Sequence, residues 1–351
     1  MIQTLSIRNF KSITDLTLEL GNLNVLIGAN GSGKSNILEA IGMAATERDN
    51  HIKINELFYK GIRIAKPNLI AGSFLGRKDS SIIQLSFQDA QGTLDYRITN
   101  DNPEDIYADW TAVPTLSSPQ VTSLKSDLAK YVIYSASIDA LRGLSSDSYQ
   151  IPLGLHGEGL DVFLGTMAPQ DLHAVVQEAA QCIPWIQNIF IDQSETYKMQ
   201  GYKLGRSKSN LYFQDRYMKR GNNIFSAENA NEGVLELLFY LSLFSSNRTP
   251  VLFAIDNIDN GLNPRLCRHL ITVLTRLAKS NGKQVILTTQ NPAVLDGMNL
   301  NDDSQRLYIV SRNDEGRTIA KPLRTKADNG NRMKLSEMWM NGLIGGVPDN
   351  F

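Results

Sequence analysis

The sequence predicts an α/β fold with a mixed sheet, flanking helices and antiparallel strands near its N-terminus. Residues 28–35 match the phosphate-binding pattern G-x-x-x-x-G-K-[ST] between an apolar run at 23–27 and a segment with helical spacing. Residues 250–256 form a second apolar run that ends in a carboxylate, which is typical of a buried parallel strand. Residues 2–7 and 13–20 alternate apolar and polar side chains, as half-buried strands do.

The first of these patterns has the chemistry that phosphate binding needs. Glycines let backbone N–H groups point at phosphate oxygens, and the N-terminus of the following helix adds the positive end of its dipole. Lys34 can reach β- and γ-phosphates, and Ser35 can bind Mg²⁺. The predicted phosphate-binding residues are Asn30, Gly31, Ser32, Gly33, Lys34, Ser35 and Asn36.

Polar side chains at the ends of two later apolar runs predict the rest of the site. The carboxyl ends of parallel strands meet at one sheet edge, so we expect Asp256 to bind Mg²⁺ beside Ser35. The next residue, Asn257, can orient water but cannot accept its proton. Asp259 could serve as the base that Asn257 cannot be. Gln290 follows the apolar run at 284–289, and its amide side chain does not titrate.

Composition limits the classes of partner. The net charge of −1 creates no global field toward nucleic acid or anionic lipid, so any such contact must be local. The two cysteines are far apart, which excludes a disulfide framework within this chain and fits a reducing, cytoplasmic compartment. The N-terminus lacks signal-peptide architecture, and no apolar run is long enough for a membrane span.

The opening of the chain resembles the RecF, Rad50 and SMC branch of the ABC-type ATPases. The resemblance is carried by a strand, the segment Asn9-Phe-Lys-Ser12, two strands and the phosphate loop. It implies an ABC-type P-loop ATPase core with an inserted helical and β lobe. It also implies that Asn9 and Lys11 lie near phosphate or ribose, and the alternative for these two residues is a plain surface turn. It also implies a magnesium-contacting glutamine, for which Gln84 and Gln88 are candidates, unless both are solvated strand residues.

A short polar segment resembles the Ser-x-Gly signature of the same ATPases. Asn231, Glu232 and Gly233 stand at the start of a strongly apolar helical pattern. In that family the signature contacts the γ-phosphate bound by the opposite subunit, which implies a homodimer or higher homo-oligomer around ATP and Mg²⁺. A simple asparagine cap on a core helix is the alternative.

Further segments resemble a bacterial group of compact ABC-type ATPases, OLD-type and often called AAA15. They are residues 255–259, 262–266, 291–297 and the Gly-Gly-x-Pro tail at 345–348. The group is commonly encoded beside a separate effector, such as a TOPRIM-type nuclease, in anti-phage defence systems. The resemblance therefore implies a slowly hydrolysing ATPase that acts as a defence sensor or switch. A RecF-like DNA-binding clamp in repair and an ATP-bound scaffold without turnover are the alternatives.

The order of the motifs predicts three segments. Residues 1–98 form the first ATPase lobe with the phosphate loop, 99–227 an inserted helical and β region, and 228–351 the second lobe with the signature helix, Asp256 and Gln290. Residues 99–126 are rich in turn-forming side chains and predict a surface loop.

One stretch of the insert, residues 198–220, mixes cations with aromatic side chains. Such a mixture can bind nucleic acid through phosphate contacts and base stacking, here with Lys203 and Arg206 among the contacts. The alternative is a pair of strands whose aromatic side chains point into the core.

Overall fold

The computed structural model describes residues 1–72, 82–144, 153–324 and 333–346, and the fold is built from the strands and helices within them. Ser81 of the first predicted hairpin strand and Pro348 of the tail motif lie outside these residues. The strands are β1 (Thr4–Phe10), β2 (Ile13–Glu19), β3 (Leu23–Ile27), β4 (His51–Ile52), β5 (Ile83–Asp89), β6 (Gly92–Thr99), β7 (Trp110–Leu116), β8 (Ile133–Tyr134), β9 (Ile186–Ile191), β10 (Leu211–Asp215), β11 (Ile224–Ser226), β12 (Leu252–Ile255), β13 (Gln284–Thr289), β14 (Gln305–Arg312) and β15 (Thr318–Pro322).

The helices connect these strands. They are α1 (Lys34–Ala45), α2 (Ile54–Tyr59), α3 (Pro67–Ile70), α4 (Thr122–Ala129), α5 (Ile138–Leu141), α6 (Leu160–Gly165), α7 (Pro169–Cys182), α8 (Thr196–Met199), α9 (Glu232–Ser245), α10 (Pro264–Ser280) and α11 (Leu335–Met340), with short 3₁₀ turns at Pro119–Val121, Ala227–Asn229 and Pro292–Gly297. Among the described residues, no helix is long and apolar enough to cross a membrane.

The chain packs as two compact units. The first contains residues 1–133, 250–258 and 282–351, and the second contains 134–249 and 259–281. These units do not follow the three predicted segments; β7 and α4, for example, belong to the first unit although they lie in the predicted insert. The predicted loop at 99–126 is therefore wrong in part, because Trp110 and Ala112 are buried and β7 pairs with β6.

An antiparallel sheet in the order β2-β1-β5-β6-β7-β4 forms one layer of the first unit. Alternation of apolar and polar residues explains it, since β1 buries Leu5 and Ile7 on one face. The predicted hairpin is confirmed as β5 and β6, joined at Asp89 and Gly92. Helix α1 contacts β1 and β5 of this sheet and β13 of the next.

The second sheet of this unit has the order β15-β14-β3-β13-β12-β8 and is mixed. Strands β12, β13, β3 and β14 run parallel to one another, whereas β15 is antiparallel. Every residue of β3, β12 and β13 is buried, as the apolar runs predicted. The carboxyl ends of β3 and β12 lead directly into the phosphate loop and Asp256.

The second unit is built on apolar helices and a small sheet. Helix α9 is buried along nearly its whole length and contacts α7, α10 and α5. The sheet has the order β11-β10-β9 and is antiparallel. Tyr212 and Phe213 of its central strand are fully buried, so they contribute to the core of this unit.

Gln284 of β13 joins the two ends of the β1–β2 hairpin to the mixed sheet. It is 3% exposed, and its Oε1 accepts a hydrogen bond from the N–H of Ile2 at 2.9 Å. Its Nε2 donates to the carbonyls of Ile2 and Gly21 at 2.7 and 3.0 Å. One amide side chain therefore satisfies three backbone groups that lie far away in sequence.

We expect Gln284→Leu to lower the free energy of unfolding by about 2–4 kcal/mol, because an apolar side chain leaves these three backbone groups unpaired. Urea unfolding followed by circular dichroism measures the change. Gln88→Ala, on the exposed side of β5, is the matched control and should change stability by less than about 0.5 kcal/mol. Equal effects of the two substitutions would contradict the assignment.

Candidate phosphate-binding site

The phosphate loop lies between β3 and α1, and two of its positions accept only glycine without strain or a clash. Gly33 is the residue before α1 and has φ 106°, and a Cβ there would lie 2.0 Å from Thr318 Oγ1. A Cβ at Gly28 would lie 2.0 Å from the Val310 carbonyl oxygen. The motif glycines are thus required both by backbone conformation and by close contact with β14 and β15.

Lys34 points back toward the loop. Its Nζ donates to the carbonyls of Gly28 and Ala29 at 2.7 and 2.9 Å, and the residue is 6% exposed. Lys34 and the loop residues 30–33 line the same open space. Phosphate oxygens entering that space would meet an ammonium group already in place.

Ser35 and Asp256 meet as predicted. Ser35 Oγ donates to the two carboxylate oxygens of Asp256 at 2.9 and 3.2 Å. Thr288 Oγ1 of β13 donates to Asp256 Oδ1 at 2.5 Å, which fixes the carboxylate orientation. Hydroxyl and carboxylate oxygens are the ligands that Mg²⁺ prefers.

These residues fit a magnesium ion that is shared with a phosphate ligand. Among the described residues, no group of three or more His, Cys, Asp or Glu side chains could hold a metal by itself. Mg²⁺ usually takes only one or two protein oxygens and completes its shell with water and phosphate. A Ser–Asp pair beside a phosphate loop satisfies that pattern.

A cavity of about 290 Å³ opens at the loop. Asn257 and Gln290 line it together with the loop residues. With Asp256, which is bonded to Ser35, three of the four residues predicted for catalysis are at the site. Asn257 has φ 56°, a left-handed conformation that asparagine tolerates, and its N–H donates to Thr288 Oγ1 at 2.8 Å. Asp259 does not line this cavity and belongs to the second unit.

A second cavity of about 480 Å³ adjoins the first, and the two share Asn36, Arg63 and Arg312. Lys11 lines the second cavity, and its contact with phosphate or ribose stays a prediction. Arg63 and Arg312 were missed from sequence, because Arg63 stands in a segment without clear periodicity and Arg312 ends a strand far from every motif. Arg312 Nε donates to the Gly31 carbonyl at 2.9 Å.

A buried carboxylate on α1 positions two of these cations. Glu39 is 2% exposed and forms ion pairs with Lys11 Nζ at 2.5 Å and Arg63 Nε at 2.6 Å. Burial lowers the pKa of Lys11, and the Glu39 charge opposes that effect. The hydrogen bond to Glu39 raises the pKa of Arg63.

Asn9 and Gln84 do not line either cavity. Asn9 has φ 60° and is buried, and its Nδ2 donates to the Ile82 carbonyl at 2.9 Å. Its side chain therefore joins β1 to the segment before β5. Gln84 is exposed on β5 between Arg8 and Arg97 of the neighbouring strands, which is the solvated position of the alternative interpretation.

The predicted signature residues begin helix α9 in the second unit. Asn231 is the N-cap, and its Oδ1 accepts from the N–H of Gly233 at 2.9 Å. The geometry of a simple asparagine cap is thus present. Asn231 and Gly233 also line a cavity of about 750 Å³ with the start of α10, whereas Glu232 is exposed and does not line it.

The basic and aromatic stretch divides into buried and exposed parts. Lys203 is buried, and its Nζ donates to the Ser209 carbonyl at 2.7 Å and to Asn210 Oδ1 at 3.2 Å. A phosphate contact by Lys203 is therefore wrong, since its donors serve the loop that contains it. Arg206 is exposed.

Comparison with known proteins identifies the family. A family model described as "AAA domain" (AAA_23) matches residues 4–229, which is more than half of the chain. A second model, described as "AAA domain, putative AbiEii toxin, Type IV TA system", matches residues 206–296.

Curated relatives match over short segments. The DNA replication and repair protein RecF of Magnetococcus marinus is 50% identical over 48 residues, 13% of this chain and 13% of that protein. The uncharacterized protein MJECL10 of Methanocaldococcus jannaschii is 33% identical over 92 residues, 26% of this chain and 38% of that protein. The structural maintenance of chromosomes protein 1 of Saccharomyces cerevisiae is 39% identical over 64 residues, 16% of this chain and 5% of that protein. The chain thus spans well under half the length of these relatives.

Solved structures match along most of both chains. The SMC head domain from Thermotoga maritima has a TM-score of 0.53 and 14% identity, covering 92% of this chain and 99% of its own. The SmcHead bound to the C-winged helix domain of ScpA has a TM-score of 0.61 and 14% identity, covering 93% and 98%. At this identity the likeness concerns the fold, and it confirms the predicted α/β P-loop ATPase fold with a mixed sheet.

We expect Glu39→Gln to destabilise the chain by about 2–3 kcal/mol near neutral pH, because it leaves the partly buried Lys11 without its anion. Arg63 is largely exposed and loses less. The pKa of Lys11 in the folded chain should fall further below its value in the unfolded chain. The unfolded state then binds more protons between the two values, so the stability of the variant should rise with pH in the alkaline range more steeply than that of the wild type.

Urea unfolding at neutral and alkaline pH tests this expectation. Glu19→Gln, which removes the carboxylate of the exposed ion pair with Arg324, is the matched control and should cost less than about 1 kcal/mol. Parallel pH dependence of the wild type and Glu39→Gln would rule out the role of the Glu39 charge.

Proposed function

The chain belongs to the AAA_23 family of AAA domains, and from that membership and the geometry of its phosphate loop we propose that it binds and hydrolyses ATP as a RecF-, Rad50- and SMC-like ATPase. The observation that carries the proposal is the convergence of Lys34, Ser35 and Asp256 at one loop. The first supplies a cation for phosphate, and the other two supply oxygens for Mg²⁺. The short RecF match supports the same class.

The two adjoining cavities divide the nucleotide between them. The loop N–H groups and Lys34 bind the β- and γ-phosphates in the smaller cavity. The ribose and base occupy the larger one, beside Lys11 and Arg63. Bound Mg²⁺ would neutralise phosphate charge, and Ser35 and Asp256 are the residues that would hold it.

Hydrolysis is expected to be slow. Among the described residues that line the smaller cavity, none is a carboxylate, and Asn257 and Gln290 are neutral amides. An amide can orient a water molecule through hydrogen bonds but cannot accept its proton. The site therefore favours a long-lived ATP-bound state over rapid turnover.

A homodimer around ATP is the assembly that we propose. The N–H groups at the start of α9 and the side chain of Asn231 border an open cavity in the second unit. A helix N-terminus with a close-approach glycine can contact a phosphate bound by a second copy. ATP binding would then be a signal for dimerisation, and slow hydrolysis would reset it.

We propose that this switch serves a bacterial anti-phage defence complex with a separate effector, such as a nuclease subunit. The match of residues 206–296 to the family described as a putative AbiEii toxin supports that context. The RecF match supports a RecF-like DNA-binding clamp as the second candidate. Phage challenge of cells that express the chain with and without its genomic neighbours tests the defence role; protection that is independent of Lys34 would oppose it.

We expect Lys34→Ala to weaken ATP binding at least about tenfold, because a charge-assisted hydrogen bond to phosphate contributes about 1.5–3 kcal/mol. Isothermal titration of the purified chain with ATP and Mg²⁺ measures the affinity. Lys53→Ala removes an exposed lysine of the same unit and serves as the control. Unchanged affinity of Lys34→Ala would refute the site.

We expect Asn257→Glu to raise the rate of ATP hydrolysis at least about tenfold, since it introduces a carboxylate that can accept the proton of water. Asn257→Gln is the matched control, because it has the same length and the same strain at φ 56° without the charge. Phosphate release is measured for both variants under saturating ATP. Equal rates would assign the polarisation of water to another group.

A further inference from the structure

The turn between β10 and β11 is the most basic exposed element of the second unit that the proposed ATPase does not use. It comprises residues 216–221, Arg-Tyr-Met-Lys-Arg-Gly, and we call it the basic turn. Its three cations are exposed, and no ion pair joins them to a carboxylate among the described residues. A chain with net charge −1 thus concentrates positive charge in one short segment.

The basic turn also exposes two large apolar side chains. Tyr217 is 75% exposed and Met218 is 51% exposed. In the small sheet, Tyr212 and Phe213 are buried, and Phe190 and Phe225 are partly buried. Tyr217 is therefore a ring that the fold leaves accessible beside Lys219 and Arg220.

Hydrogen bonds hold the backbone of the basic turn in one shape. Asp215 Oδ1 accepts from the N–H of Tyr217 at 2.7 Å, and the N–H of Asn222 donates to the Lys219 carbonyl at 2.9 Å. Tyr202 Oη donates to the Gly221 carbonyl at 2.8 Å. The carboxylate of Asp215 thus accepts a hydrogen bond from the basic turn, and the backbone that carries Tyr217, Lys219 and Arg220 is held in place.

We propose that the basic turn binds single-stranded nucleic acid, with Lys219 and Arg220 contacting phosphates and Tyr217 stacking on a base. Cations beside an exposed ring are the combination that single strands use, because an unpaired base offers its face to the ring. Two apolar side chains would bury too little area for stable attachment to a lipid surface. Six residues are also far fewer than a typical stable protein interface requires.

The test uses the full chain without ATP, so its outcome does not depend on the proposed ATPase. Fluorescence anisotropy measures binding to a labelled single strand of about 20 nucleotides, longer than a typical single-strand site. A duplex of the same length and vesicles of anionic phosphatidylserine are measured in parallel. The salt concentration is varied from about 50 to 200 mM to obtain the slope of log K against log salt.

The two kinds of contact predict different effects. Lys219→Ala/Arg220→Ala should weaken binding and reduce the salt slope by about 1.4, at about 0.7 for each lost phosphate contact. Tyr217→Ala should weaken binding at least about fivefold with little change in slope, and Tyr217→Phe should retain it, since stacking needs only the ring. Lys130→Ala/Arg268→Ala removes one exposed lysine and one exposed arginine elsewhere and should have little effect.

Several outcomes would overturn the proposal. The first is that no single strand binds, or that only vesicles bind. The second is that the control pair Lys130→Ala/Arg268→Ala loses as much single-strand affinity as Lys219→Ala/Arg220→Ala. The third is that the duplex binds as tightly as the single strand and that Tyr217→Ala leaves single-strand affinity unchanged. Melting temperatures of all variants are measured first. If Tyr217→Ala fails to fold, the salt slope of Lys219→Ala/Arg220→Ala decides the test.

Discussion

One carboxylate joins the carboxyl ends of three neighbouring strands. Asp256 comes directly after β12, and it accepts hydrogen bonds from Thr288 of β13 and from Ser35, in the first turn of the helix after β3. These strands are adjacent and parallel in the mixed sheet. The parallel order brings their carboxyl ends to one edge, so the position of the phosphate loop relative to Asp256 is a consequence of strand pairing.

A second group of buried polar contacts supports the loop from outside. Thr318 Oγ1 donates to the Ser32 carbonyl and is bonded to Ser12 Oγ, while Glu39 draws Lys11 and Arg63 to the adjoining cavity. A buried charge is costly unless it is paired, which constrains both cations to remain beside α1. The antiparallel sheet, β15 and α1 therefore contribute side chains to one site although they are far apart in sequence.

Short sequence patterns predicted the parts of the molecule whose residues are close together in sequence. The phosphate loop, the apolar run to Asp256 and the alternating strands each carry their signal within a few residues, and they gave the fold class and the meeting of Ser35 with Asp256. Arg63 and Arg312 could not be found in this way, because only tertiary packing brings them to the cavity. Lys203 was misassigned for the complementary reason. The composition of its segment suggested a surface contact, but its buried ammonium group donates to the Ser209 carbonyl and to Asn210 Oδ1.

The two polar residues predicted to handle the attacking water are neutral amides, and this limits what the site can do. Asn257 and Gln290 face a cavity that is rich in donors, and none of the described residues lining it can accept a proton as a carboxylate would. Donors stabilise the phosphates of the bound nucleotide as well as those of the transition state, and uniform stabilisation of both does not accelerate the chemical step. We therefore propose that the site strengthens ATP binding more than turnover. On the proposed function, such an ATPase is better suited to report that ATP is bound than to perform repeated mechanical work.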